Sequence, residues 1–211
     1  MGPNARGALL SLLSFALYAT HDLIVKGLGA TYSPFQIVFF SVLFSFPLVV
    51  VMLIRDSQPG HLRPVHPWWT AIRTAAAVIT GGAAFYAFSN LPLAQVYALI
   101  FAAPLIITIL SIPILGERVR LRRWIAVIVG LCGVIVVLRP GVTALTPAHL
   151  AGLVAAVGSA LASIIVRKIG NDERAEVLVL YPMLTNFVVM GALTAFVYVP
   201  MPLEHLALNA T

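Results

Sequence analysis

Residues 90–141 read NLPLAQVYALIFAAPLIITILSIPILGERVRLRRWIAVIVGLCGVIVVLRPG, and this stretch decides the fold. It consists of two apolar runs without charge, 93–115 and 124–138, joined by a link that contains Glu117 and four arginines. A helix needs about 20 apolar residues to cross the hydrocarbon core of a bilayer. Two runs of that kind around a short basic link predict two membrane spans with a turn between them.

The composition extends this conclusion to the whole chain. Of its 211 residues, 61% are hydrophobic and 9% are charged, and the mean hydropathy is +1.01. Soluble domains carry about 25% charged residues, so this chain lacks the polar surface that a water-soluble fold needs. No small-residue cleavage site follows the first apolar run, which indicates a retained span and not a signal peptide. The sequence predicts an integral protein of the lipid bilayer.

Seven stretches are long and apolar enough to span, and prolines or glycines stand at most of their boundaries. Helices are expected because open sheet edges cannot be satisfied in lipid. The predicted fold is an all-α, polytopic membrane helix bundle. The seven predicted spans are 7–26, 34–54, 68–89, 93–115, 121–138, 147–166 and 177–199.

The basic residues indicate the direction of crossing. With a cytoplasmic N-terminus, eleven of the 13 lysines and arginines fall on the inner side and only Lys26 and Arg139 fall outside. Such a bias follows the positive-inside rule. The net charge of +6 is therefore interpreted as a topology signal, with no nucleic-acid partner. The excess of arginine over lysine is typical of a GC-rich bacterium, so we expect the bacterial inner membrane.

The first and sixth predicted spans resemble each other. Residues 14–19 (SFALYA) and 159–163 (SALAS) are each followed by a basic end, yet the two spans run in opposite directions. Five helices followed by a restart in the opposite direction are typical of an inverted-topology repeat. The restart holds two helices, which is three fewer than the first unit.

These features resemble the EamA-type branch of the drug/metabolite transporter superfamily, and the resemblance covers nearly the whole chain. Family members have ten helices in two inverted halves around a central cavity, and they work by alternating access. The resemblance therefore implies a first five-helix repeat at 1–141 and a partial second repeat at 142–211. The residues that carry it are Asp22, Lys26, Ser33-Pro34-Phe35, Pro104, Leu115-Gly116-Glu117, Gly130, Gly133 and Arg139-Pro140-Gly141.

Polar residues inside a membrane are costly and indicate function. In the first span Ser11, Ser14, Tyr18, His21 and Asp22 share one helical face. We expect Tyr18 and His21 to line a cavity, although the serines can also bond to neighbouring helices. Two interpretations of Asp22 stay open, an ion pair with Lys26 four residues on and a carboxylate that binds substrate or couples protons.

The fourth span carries a second polar face that includes Tyr97, Pro104 and Thr108, and Pro104 predicts a kink. This face indicates either a wall of the cavity or packing against the kink. Tyr86 of the third span completes the wall, and Ser163 of the sixth lies opposite. The predicted substrate-binding residues are Tyr18, His21, Asp22, Tyr86, Gln95, Tyr97, Thr108 and Ser163.

Other features have simpler interpretations. Glu117 forms a surface ion pair with an arginine or helps to close the inner side. The glycine pair 81–82, Gly130 and Gly133 allow close helix contact. The single cysteine, Cys132, excludes an internal disulfide and a cysteine metal cluster, and we predict no cofactor, metal site or catalytic residue.

The resulting prediction is a secondary transporter for a small organic metabolite such as an amino acid, a vitamin or a nucleoside-like solute. No P-loop pattern is present for ATP, and proton coupling and exchange both stay open. One alternative is a truncated protein that is inactive or that completes its cavity as a homodimer. A seven-helix receptor is more remote, because its N-terminus would lie outside, and a retinal protein needs a lysine in the last span. An enzyme would need a nucleophile with a base, or a metal cluster, on facing helices.

Overall fold

The computed structural model describes residues 3–55, 62–139 and 144–209, with side chains from Gly7 onward. Within these ranges the chain is all-α and contains no strand, as the sequence predicted. The helices in chain order are α1 (Pro3–Leu28), α2 (Pro34–Arg55), α3 (Pro67–Asn90), α4 (Leu93–Ile100), α5 (Ala103–Leu115), α6 (Leu121–Leu138), α7 (Pro147–Ile169), α8 (Ala175–Val197) and α9 (Leu203–Asn209).

The number of predicted spans is confirmed. Seven helical stretches among the described residues are long and apolar enough to cross a membrane, with α4 and α5 together forming the fourth, Leu93–Leu115. Together with the apolar composition, this makes the chain a multi-pass membrane protein. The proposed repeat boundary at 141/142 lies outside the described residues.

The fourth span is broken where the sequence predicted a kink, but one turn earlier than Pro104. α4 ends at Ile100, a turn follows at Phe101 and Ala102, and α5 begins at Ala103. The position has a direct cause, since Pro104 has no N–H to donate to the carbonyl of Ile100, four residues before it, and its ring clashes with that carbonyl. The helix therefore ends at Ile100.

α7 lies at the centre of the bundle, packed mainly against α3 and α5, and α2 packs against α8. The side of α7 that faces its neighbours carries small residues, among them Ala156 and Ala160, which are fully buried. A Cβ atom at Gly158 would collide with Oγ1 of Thr80 and lie 3.1 Å from the carbonyl oxygen of Ala76. Small residues therefore let α3 and α7 approach closely, as is common between membrane helices.

The predicted glycine contacts are only partly present. A Cβ at Gly130 would lie 2.8 Å from a methyl group of Leu105, and one at Gly82 would lie 3.3 Å from Cε of Met190, so these glycines do allow close contact. For Gly133 the prediction was wrong, because nothing lies within 4 Å of its Cβ position. Gly133 is exposed on α6 and faces away from the bundle.

The end of the bundle at the start of α2 is closed by the segment after α8. The side chain of Gln36 is fully buried; its Nε2 donates to the carbonyl of Val199 at 2.7 Å and its Oε1 accepts from the N–H of Val199 at 3.0 Å. Helix α9, which the sequence did not predict, then crosses α1 and α2. It is held by Tyr32 Oη with His205 Nδ1 at 2.7 Å and by Ser41 Oγ with Asn209 Oδ1 at 2.8 Å.

The opposite end of the bundle holds the basic link. Arg167 Nη2 at the end of α7 lies 2.6 Å from Glu117 Oε1, and Arg123 Nη1 lies 3.8 Å from the other oxygen of Glu117. Lys168 sits over the ring of Trp69, 4.5 Å from its centroid. These contacts place the end of α5, the starts of α3 and α6 and the end of α7 together.

Candidate functional site

An apolar pocket of about 530 Å³ opens between α1, α3 and α4. We call it the aromatic pocket, since five of its eight lining residues carry aromatic rings. α1 supplies residues at steps of three, one and three, which places them on one face of the helix. The lining residues are Phe15, Tyr18, Ala19, Asp22, Phe88, Tyr97, Ile100 and Phe101.

A hydrogen bond between two spans crosses this pocket. Oη of Tyr97, on α4, donates to Oδ2 of Asp22, on α1, at 2.8 Å. The other carboxylate oxygen, Oδ1, lies 3.7 Å from Nδ1 of His21, and the side chain of Asp22 is 18% exposed. A hydrogen bond to a charged acceptor is stronger than a neutral one, so it fixes α4 against α1 beside the pocket.

The rings around Tyr97 are ordered by mutual packing. Tyr97 stacks on Phe101 with centroids 5.7 Å apart and packs edge-to-face with buried Phe88, with centroids 5.9 Å apart. Edge-to-face and offset-stacked pairs are the favourable arrangements of aromatic rings. Phe101 lies four residues after Tyr97, and its N–H still donates to the carbonyl of Tyr97 at 2.8 Å, so the two rings share one helical face. The break then follows directly after these residues, beside the pocket.

Lys26 does not pair with Asp22, although the i,i+4 spacing favoured that pair. Its Nζ donates to the carbonyl oxygens of Leu91 at 2.6 Å and Ser89 at 3.4 Å. Leu91 caps the C-terminal end of α3, where the last carbonyls of a helix lack partners and attract a cation. Asp22 thus faces the aromatic pocket and Lys26 faces the corner between α3 and α4.

The structure brings together three of the predicted site residues, Tyr18, Asp22 and Tyr97, in the aromatic pocket. His21 lies beside them, and its ring packs edge-to-face with that of Phe85, with centroids 6.0 Å apart. It lines a second, smaller depression of about 340 Å³, which shares Tyr18 with the first.

The remaining predicted residues lie outside the aromatic pocket. Tyr86 is 40% exposed on α3, and Gln95 is partly exposed on α4. Thr108 donates to the carbonyl of Pro104 at 3.0 Å, and Ser163 is exposed on α7. A binding role for these four stays a prediction.

Sequence reasoning missed Phe15 and Phe88 as lining residues. Phe15 could have been found, because it lies three residues before Tyr18 and seven before Asp22, on the same helical face. No comparable signal marks Phe88, whose position depends on how α3 packs against α4. Among the residues that the structure describes, no group of three or more His, Cys, Asp or Glu side chains could hold a metal ion.

Comparison with known proteins identifies the family to which this chain belongs. Residues 5–139 match the model of the EamA-like transporter family. An S-adenosylmethionine uptake transporter of Rickettsia prowazekii is 26% identical over 92% of this chain and 63% of its own length. A pseudopaline exporter of Pseudomonas aeruginosa is 27% identical over 83% of this chain and 61% of its own length.

A riboflavin transporter of Rhizobium johnstonii is 26% identical over 67% of this chain and 45% of its own length. The chain thus spans less than two thirds of the Rickettsia relative, and no solved structure matches it. The family match covers well over half of the chain and includes both helices that carry the Tyr97–Asp22 hydrogen bond. The chain therefore belongs to the EamA-like transporter family.

Proposed function

We propose that this chain moves a small organic metabolite across the membrane as a secondary transporter, with the aromatic pocket as its substrate site. The observation that carries the proposal is the Tyr97–Asp22 hydrogen bond, which links two spans inside a pocket between helices. Polar side chains within membrane spans are costly and face a cavity or a partner. Membership of a transporter family supports the same activity.

The names of the relatives indicate which solutes to test first. Their names cover S-adenosylmethionine, pseudopaline and riboflavin, all small organic metabolites. S-adenosylmethionine is the first to test, because the Rickettsia relative matches 92% of this chain. Tyr18, Asp22 and Tyr97 contact the substrate in this proposal, and His21 borders it.

The broken fourth span supports movement by alternating access. Transporters place substrate sites where helices are interrupted, and here the interruption at Phe101 and Ala102 borders the aromatic pocket. In this proposal α4 tilts relative to α5 at the break, which opens the pocket to one side of the membrane at a time. The carboxyl group of Asp22 is the proposed coupling group if protons drive the cycle.

The proposal keeps the predicted repeats and orientation. The first repeat at 1–141 is supported by the family match, which ends at residue 139, and residues 142–211 form part of the second. The N-terminus is proposed to be cytoplasmic in a bacterial inner membrane. The positive-inside rule supports this, because the contacts of Glu117 and Trp69 gather the links rich in arginine at one end.

A homodimer is also part of the proposal. Phe15 and Tyr18 are 68% and 67% exposed on α1, so the described residues leave one side of the pocket without a protein wall, and in this proposal a second copy supplies it. Leu12→Cys, in a Cys132→Ser background, is expected to form a cross-linked dimer under oxidation, because Leu12 is 69% exposed on α1. Phe196→Cys on α8, 87% exposed, is the control. Equal cross-linking of both, or none, would argue against a dimer through α1.

Uptake into proteoliposomes tests the transport proposal. The full chain is reconstituted and supplied with radiolabelled S-adenosylmethionine, pseudopaline or riboflavin, with and without a pH gradient. Uptake above empty liposomes is expected for at least one solute, with a loss in Tyr18→Ala and His21→Ala. Tyr198→Phe, at the exposed end of α8, is the matched control. Uptake that is unchanged in both Tyr18→Ala and His21→Ala would exclude the assigned site.

A further inference from the structure

The aromatic pocket combines one carboxylate with many ring faces. Asp22 is the one charged residue that the described part of the chain places in its lining, and five aromatic rings surround it, those of Phe15, Tyr18, Phe88, Tyr97 and Phe101. No lysine or arginine among the described residues lines the pocket. Aromatic faces carry negative partial charge and attract cations, so the rings and the carboxylate favour the same sign of charge.

Asp22 retains unused acceptor capacity. An ionised carboxylate offers about four acceptor sites on two oxygens. Oδ2 accepts the bond from Tyr97, while Oδ1 lies 3.7 Å from Nδ1 of His21. That separation is longer than a hydrogen bond, so Oδ1 can face a bound molecule.

The lysine one helical turn after Asp22 does not neutralise its carboxylate. Nζ of Lys26 is committed to the carbonyl oxygens of Leu91 and Ser89 at the end of α3. Among the described residues the ion-pair partner of Asp22 is His21, at 3.7 Å, which carries a charge only when it is protonated, and a carboxylate that lacks a permanently charged partner is costly inside a membrane. A positively charged molecule in the pocket would lower that cost, whereas an anion would raise it.

We propose that the aromatic pocket recognises an organic cation of the onium type, a sulfonium or a quaternary ammonium group. The inference rests on the proposed function, since it names the class of solute that the site carries. An onium group spreads its charge over alkyl groups and has no N–H to satisfy, which fits a pocket with five rings and one carboxylate. The volume of about 530 Å³ leaves room for a larger substituent beside the onium group.

A matched pair of probes tests the charge preference by binding alone. The full chain is placed in lipid nanodiscs and titrated calorimetrically with 3-(trimethylammonio)phenol and with 3-tert-butylphenol, its uncharged isostere, with empty nanodiscs as the blank. The charged probe is expected to bind at least about tenfold more tightly, the scale of a desolvated cation–π contact. Equal binding of the two probes, or tighter binding of the neutral one, would overturn the proposal.

Variants assign the preference to the pocket. Asp22→Asn is expected to lower the affinity for the charged probe about tenfold and to leave the affinity for the neutral probe unchanged. Tyr18→Phe keeps the ring face and the affinity, while Tyr18→Leu lowers it. Asp172→Asn, a carboxylate beside His66 at the other end of the bundle, is the control. A charge preference that survives both Asp22→Asn and Tyr18→Leu would place the cation elsewhere and overturn the assignment.

Binding and uptake separate this inference from the proposed function. A charge preference without uptake of any solute would contradict transport and leave the onium site standing. Uptake by a chain that binds both probes equally would support transport and exclude the onium preference.

Discussion

Oη of Tyr97 lies 2.8 Å from Oδ2 of Asp22, although 75 residues separate the two in sequence. The bond connects α4 to α1, which otherwise contacts mainly α3 and α9. It forms where α4 ends and where the ring of Phe101 stacks on that of Tyr97. Tyr97 thus bonds to the carboxylate of Asp22, lines the aromatic pocket and lies in the last turn before the helix break.

Tyr97→Phe is expected to lower kcat/KM for uptake about tenfold or more, because a hydrogen bond to a charged group contributes about 1.5–3 kcal/mol. The substitution keeps the ring and its contacts with Phe88 and Phe101. Initial rates in proteoliposomes over a range of substrate concentrations measure the effect, with Tyr198→Phe as the control. An unchanged kcat/KM would show that the phenolic oxygen has no part in transport.

The helices and spans could be predicted because they depend on local sequence. Apolar runs of about 20 residues define each span, and Pro104 alone accounts for the break at Ile100. The hydrogen-bond partner of Asp22 could not be predicted in the same way. The four-residue spacing between Asp22 and Lys26 favoured an ion pair between them. In the structure Lys26 donates to a carbonyl at the end of α3 instead, where helix carbonyls lack partners within the helix. Those carbonyls approach Lys26 only through packing of α1 on α3.

In the candidate site, too, the features that depend on local sequence could be predicted and those that depend on packing could not. Helical periodicity placed Tyr18 and Asp22 on one face of α1, and the aromatic pocket contains both. Periodicity along the fourth span also grouped Tyr97 with Thr108. The break ends the continuous helix on which that grouping depends, and Thr108 bonds to the carbonyl of Pro104 instead. A local pattern predicts a shared face only while the helix is unbroken.

Gly158→Ala is expected to destabilise the bundle by about 1–3 kcal/mol, the usual cost of overpacking a tight core. Its Cβ would collide with Thr80 and lie 3.1 Å from the carbonyl oxygen of Ala76 on α3. The control is Gly133→Ala, where nothing lies within 4 Å. There the change is expected to stabilise by about 0.5–1 kcal/mol, because glycine weakens a helix interior.

Unfolding in mixed micelles with increasing dodecyl sulfate, followed by far-ultraviolet circular dichroism, gives both free energies of unfolding. The two variants should shift the midpoint in opposite directions. Equal shifts, or a larger loss for Gly133→Ala, would contradict the close packing of α3 on α7.

Gln36→Leu is expected to cost about 1–3 kcal/mol for the backbone groups of Val199 that it leaves unpaired. The side chain is fully buried and makes hydrogen bonds with both the N–H and the C=O of Val199. Gln95→Leu is the matched control, because Gln95 is partly exposed and its side chain makes no hydrogen bond with the described residues. Hydrogen–deuterium exchange should show faster exchange at Val199 in Gln36→Leu only. Unchanged exchange there would mean that Gln36 does not hold the segment after α8.

Two engineered cysteines test the orientation of the chain. Thr31, between α1 and α2, and Arg120, between α5 and α6, are both exposed and lie in links at opposite ends of the bundle. In a Cys132→Ser background, a membrane-impermeant maleimide is expected to label Thr31→Cys in intact spheroplasts. Arg120→Cys should react only after permeabilisation, because the positive-inside rule places the arginine link in the cytoplasm. The reverse labelling pattern would show that the chain crosses the membrane in the opposite orientation. The aromatic pocket would then be approached from the other side of the membrane.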